Sequence, residues 1–240
     1  MKSLEEVWDI LSKYLSVDNA LEQGFSTGKY TKVLSKYAKN VTAIDISKDF
    51  FNIAKENLKD RDNITLMLMD ALNMDFEDKS FDVLLNTSFH EFDLSTDTYS
   101  IDLDLKRKIL LEMIRVSNTI IFVEPTENAV TNELFKVFNP NENHSDRIQK
   151  SNELIEQVMK ENNYELVERG LTFNTDKFNN KEELEEEMLS WWSDIKVPSN
   201  NEEKQNMIKQ IDEILDSASM LEKLEVTEEI AYRVYKLKEN

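Results

Sequence analysis

Residues 19–47 read NALEQGFSTGKYTKVLSKYAKNVTAIDIS, and the rest of the chain repeats the pattern that this stretch begins. The apolar residues before Glu22 predict a strand, and Gly24 and Gly28 predict a tight turn after it. Apolar residues at helical spacing follow, and the apolar run that ends at Asp45 predicts a second strand. A strand, a glycine turn, a helix and a strand in this order are typical of a cradle for a nucleotide-like ligand.

Apolar strands and amphipathic helices continue to alternate after this stretch. Further strands are predicted at 64–69, 81–85, 119–123, 164–173 and 230–237. The last of them alternates apolar and charged residues, which predicts an edge strand. Continuous apolar strands separated by helices predict an α/β protein with a parallel sheet that is buried on both faces. An amphipathic helix over 3–15 precedes the first strand and is expected to lie against the sheet or over the ligand.

Two segments depart from this alternation. Helical periodicity fades over 126–149, which predicts a loop or lid, and returns at Leu154. Residues 181–225 contain 13 acidic and 5 basic residues, with apolar positions that predict two amphipathic helices. We therefore expect one domain with three parts. These are a helical cover at 1–17, a core at 18–178 and 226–240, and an acidic helical insertion or lid at 179–225.

Composition excludes several classes of function. The 29 basic and 48 acidic residues give a formal net charge of −19, which repels phosphate backbones and anionic membrane surfaces. No nucleic acid or membrane partner is expected, and no apolar window approaches the roughly 18 residues of a membrane span. The absence of Cys excludes disulfides, thiolate metal sites and cysteine nucleophiles. Together with the lack of a signal sequence, it predicts a cytoplasmic protein.

The glycine turn by itself is compatible with several ligands. A dinucleotide fingerprint needs glycine at the positions that Ser26 and Lys29 occupy, so NAD is disfavoured. A Walker A loop needs a Lys-Ser or Lys-Thr pair, which Lys29-Tyr30 does not provide, so ATP is disfavoured as well.

The same residues also spell the G-x-S-x-G nucleophile elbow of serine hydrolases, with Ser26 as the nucleophile. Asp45 or Asp70 and either histidine, His90 or His144, could complete a triad in the right order. The elbow, however, sits on a central strand that other strands precede, and here only a helix precedes it. A serine hydrolase that uses Ser26 is therefore a remote alternative.

The acidic residues downstream favour a different ligand. Asp45 lies 21 residues beyond Gly24, at the tip of the second strand, where a carboxylate can accept both ribose hydroxyls. Asp70 ends the third strand. Both could instead cap strand ends or helices, and Glu22 could be a solvated turn residue.

At this point the chain resembles the class I S-adenosylmethionine-dependent methyltransferases. ALEQGFSTGKYT is similar to their first motif, VTAIDIS to their second, and NITLMLMDALNMDFEDKSFDVLLNTSFHEF to their signature of strands 3 and 4. The resemblance covers 19–125 and, more loosely, 150–178 and 228–238. It implies a Rossmann-like doubly wound seven-stranded sheet of order 3-2-1-4-5-7-6. The last strand would be antiparallel, with helices on both faces and a helical insertion before it.

The resemblance also implies the cofactor S-adenosylmethionine, with S-adenosylhomocysteine as the product. The implied cofactor-binding residues are Glu22, Gly24, Ser26, Gly28, Asp45, Ile46, Asp70, Ala71, Asn86 and Ser88. The two glycines would frame the loop at the methionine end, which Glu22 would brace. Asp45 would hold the ribose, Asp70 with Ala71 the adenine, and 86–88 would border the sulfonium. Ser26 stands where the family usually has glycine.

Methyl transfer depends mainly on placing the acceptor, with removal of its proton where needed. His90 and Glu91, just past the fourth strand, are the candidate catalytic residues, as a general base or as groups that orient the acceptor. The alternative for His90 is a packing role, and Glu124 is a weaker candidate. His90 and His144 lie 54 positions apart without metal-binding spacing, so no metal is expected.

The implied function is methyl transfer from S-adenosylmethionine to a small-molecule acceptor by in-line displacement. Residues 86–89 lack the paired prolines of methyltransferases that act on planar amino groups, which disfavours those substrates. Trp191-Trp192 could form a lid over the acceptor, a packing face or the face of a homodimer. The alternative function is a non-catalytic module that binds S-adenosylmethionine or a protein partner. The motifs do not specify whether the acceptor atom is O, N, C or S.

Overall fold

The computed structural model describes residues 4–92, 101–141, 143–192 and 195–238. The helices are α1 (Leu4–Leu15), α2 (Lys29–Leu34), α3 (Lys48–Asn57), α4 (Leu103–Val116), α5 (Thr131–Phe138), α6 (His144–Glu161), α7 (Lys181–Ser190) and α8 (Asn201–Ser217). The strands are β1 (Asn19–Gln23), β2 (Asn40–Asp45), β3 (Ile64–Leu68), β4 (Phe81–Asn86), β5 (Ser117–Pro125), β6 (Tyr164–Lys177) and β7 (Glu225–Leu237). A 3-10 turn covers Phe89–Glu91.

The seven strands form one sheet in the order β3-β2-β1-β4-β5-β7-β6. The pairs from β3 to β5 are parallel, whereas β7 is antiparallel to both of its neighbours. The predicted fold class and strand order are confirmed. Because parallel strands end at one edge of a sheet, the turns after β1, β2, β3 and β4 meet there.

The prediction of an edge position for the last strand is wrong, because β7 lies between β5 and β6. Its alternating apolar residues are buried, and a polar residue between them is satisfied by a neighbouring helix. Arg233 donates a hydrogen bond to Asn152 on α6 at 2.7 Å. Strands β6 and β7 also extend beyond the predicted ranges, through polar pairs such as Thr175 with Thr227. A polar residue in the alternating pattern of β7 can therefore face a neighbouring helix and need not face solvent.

Two apolar clusters bury the two faces of the sheet. On one face α1 packs Val7, Leu11 and Leu15 against sheet residues that include Ala20 and Val83. This confirms that the first helix lies against the sheet. On the other face, buried residues of α4 and α6 cover β1, β4 and β5. Each fully buried leucine contributes about 1.5–3 kcal/mol relative to an exposed one, so these clusters hold the sheet and its carboxyl edge in place.

The predicted loop or lid at 126–149 is wrong in large part, since α5 lies within it and α6 begins at His144. The apolar side of α5 contacts the insertion, where Phe135 and Phe138 pack with Leu184 and Trp192 in a third cluster. The local pattern was hard to recognise because this helix is short and its partner lies more than 40 residues away in sequence.

The acidic insertion contains the two predicted helices, α7 and α8. The side chains of Asn180 and Asn200 cap them by accepting hydrogen bonds from the backbone N–H groups of Glu183 and Glu203, at 2.9 Å each. Their inner faces join α5 in the third cluster. None of the helices in the described ranges has the length and apolar character needed to cross a membrane.

Candidate active site

The turns at the carboxyl edge of the sheet enclose a cavity of about 700 Å³. Seven of the ten residues predicted to bind the cofactor line it, namely Gly24, Ser26, Asp45, Ile46, Asp70, Ala71 and Ser88. The other three, Glu22, Gly28 and Asn86, lie behind this lining. The topology thus brings together residues from four separate turns, as parallel strands that end at one edge require.

The turn after β1 depends on backbone conformations that favour glycine. Gly24 has a φ of 80°, and a Cβ atom there would lie 2.9 Å from the ring of Phe92. Gly28 has a φ of 85°, and its Cβ would lie 2.8 Å from Leu58. Ser26 adopts a left-handed φ of 47°, which costs a non-glycine residue about 1–2 kcal/mol. Its presence in place of glycine therefore adds strain without changing the path of the loop.

Asp45 ties this turn to the next one. Its two carboxylate oxygens accept hydrogen bonds from the backbone N–H groups of Ser26, at 2.9 Å, and Ser47, at 2.8 Å. Each oxygen has a second lone pair, so the half-buried carboxylate can still accept hydroxyl groups from the cavity. Asp45 therefore combines the capping role with a geometry that fits a ribose.

The wall beyond Asp45 is mainly apolar. Ile46, Phe50 and Leu72 line it, together with residues of α4. Asp70 is exposed at its edge and accepts a hydrogen bond from the backbone N–H of Leu72 at 2.9 Å. An apolar slot with one acidic edge suits a planar base that carries an amino group, so these residues fit the adenosyl part of the expected cofactor.

Glu22 lies under the glycine turn and not on the cavity surface. Its side chain is fully buried, with the hydroxyl of Thr31 as its polar neighbour. Burial raises the pKa of Glu22 to about 8, although a hydrogen bond from Thr31 lowers it, and the nearby charge of Asp45 adds a smaller increase. At neutral pH this carboxyl group is therefore largely protonated, and the predicted bracing role would be that of a neutral acid.

Asn86, the last residue of β4, connects the turn after β4 to the turn after β1. Its side-chain amide donates to the backbone oxygen of Gln23 at 3.3 Å and to the side-chain oxygen of the same residue at 3.2 Å. Its own oxygen accepts a hydrogen bond from the backbone N–H of Ser88 at 3.1 Å. Asn86 thus fixes the two turns relative to each other, and Thr87 and Ser88 form the surface that the cavity meets.

A second cavity of about 480 Å³ adjoins the first. The two share seven wall residues, which are Lys29, Tyr30, Thr87, Ser88, Glu91, Trp191 and Trp192. Trp192 is buried against Phe135 and Phe138, with ring centroids 5.4 and 5.3 Å apart, whereas Trp191 is partly exposed. The tryptophan pair therefore walls both cavities and anchors the insertion beside them.

His90 lines the second cavity and is held by a buried carboxylate. Its Nδ1 atom lies 2.5 Å from one oxygen of Glu124, whose other oxygen accepts the backbone N–H of Phe89 at 2.5 Å. Burial lowers the pKa of His90, but the charge of Glu124 and its hydrogen bond outweigh that effect, so the pKa lies above its usual value. Because Glu124 contacts the Nδ1 atom, the Nε2 atom is the ring nitrogen of His90 that can interact with groups in the cavity.

Two residues of this arrangement were undervalued or missed from the sequence. Glu124, ranked as a weak candidate, is the residue that orients His90. Lys106 was missed; its fully buried ammonium group donates to the backbone oxygens of Phe89 and His90, at 2.7 and 2.9 Å. A lysine on the apolar side of a predicted helix was the available signal, because buried lysines are rare unless they are paired.

The two histidines, which are 54 positions apart in sequence, lie beside each other in the fold. The rings of His90 and His144 are 5.2 Å apart and nearly perpendicular, and His144 is stacked on Phe135 at 4.3 Å. Both histidines line the second cavity, whereas Ser26 lines the first. Among the described residues the Ser26 hydroxyl makes no hydrogen bond to a histidine, so the contacts of a serine hydrolase triad are not formed.

Comparison with known sequences identifies one region of the chain. Residues 21–117 match a protein-family profile described as a methyltransferase domain. The chain is 31% identical over 90 residues to the rRNA adenine N-6-methyltransferase of Escherichia coli, which covers 36% of this chain and 37% of that protein. It is 39% identical over 61 residues to ribosomal RNA small subunit methyltransferase A of Clostridium botulinum, with 25% and 22% covered. The chain thus matches well under half the length of these relatives.

Solved structures share the fold over nearly the whole chain. A protein of Bacillus halodurans C-125 has a TM-score of 0.63 at 15% identity and covers 96% of this chain and 97% of its own. N-methyltransferase NodS of Bradyrhizobium japonicum, solved with S-adenosyl-L-homocysteine, has a TM-score of 0.55 at 13% identity, with 98% and 87% covered. At these identities the likeness concerns the fold alone.

Proposed function

We propose that this chain is a class I S-adenosylmethionine-dependent methyltransferase, which transfers a methyl group from this cofactor to a small-molecule acceptor by in-line displacement. The methyltransferase-domain profile that matches residues 21–117 supports the proposal. The pair of joined cavities at the carboxyl edge of the sheet carries the proposal. One cavity has the polar groups that a nucleoside needs. The other adjoins it with a volume in the usual range for small-molecule sites, roughly 300–1,000 Å³.

The first cavity would hold the cofactor, which supplies an electrophilic methyl group on a sulfonium. Asp45 would accept the ribose hydroxyls, and Asp70 with Ala71 would lie beside the adenine. The backbone at Gly24 would approach the methionine end, where a side chain would block it. Ser88, on the border of the two cavities, supports the expected position of the sulfonium at their junction.

The second cavity would hold the acceptor in line with the methyl group and keep it dry. Trp191 and Trp192 support a closing role for the insertion, since they wall both cavities. His90 and Glu91 are the groups that would orient the acceptor and take up its proton. Glu124 would act through His90, by holding the imidazole ring and its tautomer.

RNA is the second candidate acceptor, because the curated relatives named above are rRNA methyltransferases. The charges of the second cavity favour a small molecule instead. Its wall has five acidic residues, Glu91, Asp176, Glu183, Glu187 and Glu228, and two basic ones, Lys29 and Lys177. Such a wall, on a chain of net charge −19, repels phosphate. Thr87-Ser88 also replaces the paired prolines of enzymes that methylate planar amino groups.

Calorimetry and a turnover assay test the proposal in two steps. We expect S-adenosylhomocysteine to bind at micromolar concentration, and one member of a panel of amines, phenols, carboxylates and thiols to be methylated. An rRNA fragment should not be methylated. Binding with no turnover on any substrate would favour the non-catalytic module, and methylation of the RNA alone would replace the acceptor class. Absence of cofactor binding would refute both readings.

A further inference from the structure

Three metal-binding side chains meet on the wall of the second cavity. His90, Glu91 and His144 each offer a ligand atom, and these atoms all lie within 4.8 Å of one another. His90 and Glu91 belong to the 3-10 turn after β4, whereas His144 is the first residue of α6. The cluster is therefore a product of the fold, since 54 positions separate the two histidines.

The environment of His90 is that of a metal ligand. Glu124, which is 2% exposed, binds its Nδ1 atom at 2.5 Å. The Nε2 atom of the ring then lies 3.8 Å from a carboxylate oxygen of Glu91. A carboxylate on the far nitrogen of a histidine is the usual companion of a metal-binding imidazole, because it fixes the ring and increases its basicity.

Packing fixes the ring of His144. It is stacked on Phe135 with an interplanar angle of 17°, and it meets the ring of His90 at 78°. Metal–ligand distances of about 2.0–2.2 Å in a tetrahedral site correspond to ligand atoms about 3.3 Å apart. Side-chain shifts of about 1 Å or less would therefore bring the three ligand atoms to coordination distance.

We propose that His90, Glu91 and His144 bind a divalent transition metal, with Zn²⁺ as the best match, at the acceptor end of the site. Two imidazoles and one carboxylate are a familiar donor set for such ions. The remaining coordination position faces the second cavity, which all three residues line. Water or a heteroatom of the acceptor would occupy it. This property goes beyond methyl transfer and does not depend on it.

The metal and the proton-accepting role use the same atom, Nε2 of His90. The two roles therefore exclude each other in any one molecule. In the metal-bound form the ion itself would favour the deprotonated acceptor, as Zn²⁺ does for bound water. The buried ammonium group of Lys106 lies on the backbone side of this turn, where it donates to the backbone oxygens of Phe89 and His90.

Titration of the full chain with Zn²⁺, followed by calorimetry, tests the site without a methylation assay. We expect one tight site per chain, and we expect His144→Ala and Glu91→Gln each to weaken binding by at least about tenfold. Glu124→Gln should weaken it by about 10–100-fold, the usual effect of losing such a companion. Co²⁺ in place of Zn²⁺ should give a visible absorption spectrum that His144→Ala removes.

Asp146→Asn is the matched control. Asp146 lies two residues from His144 and loses the same charge as Glu91→Gln, but its carboxylate is bound to Lys150 at 2.6 Å. It should bind Zn²⁺ like the unaltered chain. Equal affinity in all variants, or many weak sites spread over the acidic surface, would overturn the proposal. Thermal unfolding checks each variant, and if His144→Ala does not fold, Glu91→Gln and Glu124→Gln decide the question.

Discussion

The two joined cavities are built in different ways. Most polar groups of the first cavity belong to four consecutive turns within 19–88 and make contacts such as Ser26 with Asp45, although α4 and the tryptophan pair complete its wall. The second needs partners from across the chain, such as His90 with Glu124 and Phe135 with Trp192. Residues that are close in sequence therefore supply most of the first cavity, the proposed cofactor half. Long-range packing builds the second cavity, the proposed acceptor half.

Gly24→Val should give the largest effect and should be confined to the cofactor half. The new side chain would combine a disfavoured φ of 80° with a contact of 2.9 Å to Phe92. We expect calorimetry to detect no binding of S-adenosylhomocysteine, a loss of at least about 100-fold, in a chain that keeps its circular dichroism. Retained affinity would mean that the turn does not approach the cofactor.

His90→Gln should affect the proposed acceptor half and not the proposed cofactor half, which is the reverse of Gly24→Val. The change removes the imidazole that faces the second cavity and leaves the first cavity unaltered. We expect kcat for the acceptor to fall by about 100-fold, the usual size of a general acid–base contribution, with the Kd of S-adenosylhomocysteine unchanged within twofold. An unchanged kcat would show that His90 has a packing role and no catalytic role.

The tryptophan pair offers a comparison within the acceptor half. Trp192 is 8% exposed and packed on two phenylalanines, so Trp192→Ala should lower the free energy of unfolding by about 3–5 kcal/mol. Trp191→Ala should have a smaller effect on stability and should raise the KM of the acceptor by about tenfold. Urea unfolding and steady-state kinetics measure the two effects. An unaltered KM in Trp191→Ala would argue against the closing role.

Glu22→Gln tests the buried acid below the cofactor turn. The pKa of Glu22 is raised to about 8 in the folded chain, so folding favours its neutral form. That contribution is complete below the unfolded pKa of about 4.5 and is lost as the pH rises towards 8. Glutamine cannot ionise, so the variant should match the parent at pH 4.5.

The Glu22→Gln variant should then gain on the order of 4 kcal/mol over the parent by pH 8.5, because a rise in pKa from 4.5 to about 8 corresponds to about 1.4 kcal/mol per unit. Thermal unfolding across this range measures the difference. A constant difference at all pH values would show that Glu22 does not titrate there.

Ser26→Gly should give the smallest change. It relieves a left-handed conformation that costs a non-glycine residue about 1–2 kcal/mol, and it keeps the backbone N–H that bonds to Asp45. We expect cofactor affinity to stay equal or to improve by a few fold in calorimetry. A loss of affinity would assign the serine hydroxyl a direct contact.

Much of the fold could be predicted from periodicity and motif. The helices of the insertion are as predicted, because they follow from an apolar pattern that repeats within the segment. The strand order is the one that the family resemblance implied. The interior position of β7 agrees with that order, but the alternating pattern of this strand predicted an edge. Its polar residues suggested solvent, and only the contact of Arg233 with Asn152 explains them. The helix α5 was missed for a similar reason, since its partner surface is the insertion.

The sequence by itself determined the glycine turn and the acidic strand tips, because backbone conformation and strand-end chemistry are encoded by neighbouring residues. Only the tertiary structure decided that Glu124 holds His90 and that His144 lies beside it. Those contacts depend on where β5 and α6 lie in space. The spacing of Glu124, His90 and His144 along the chain does not predict these contacts. The first cavity is thus built mainly by residues that are close in sequence, whereas the second depends on contacts between distant segments.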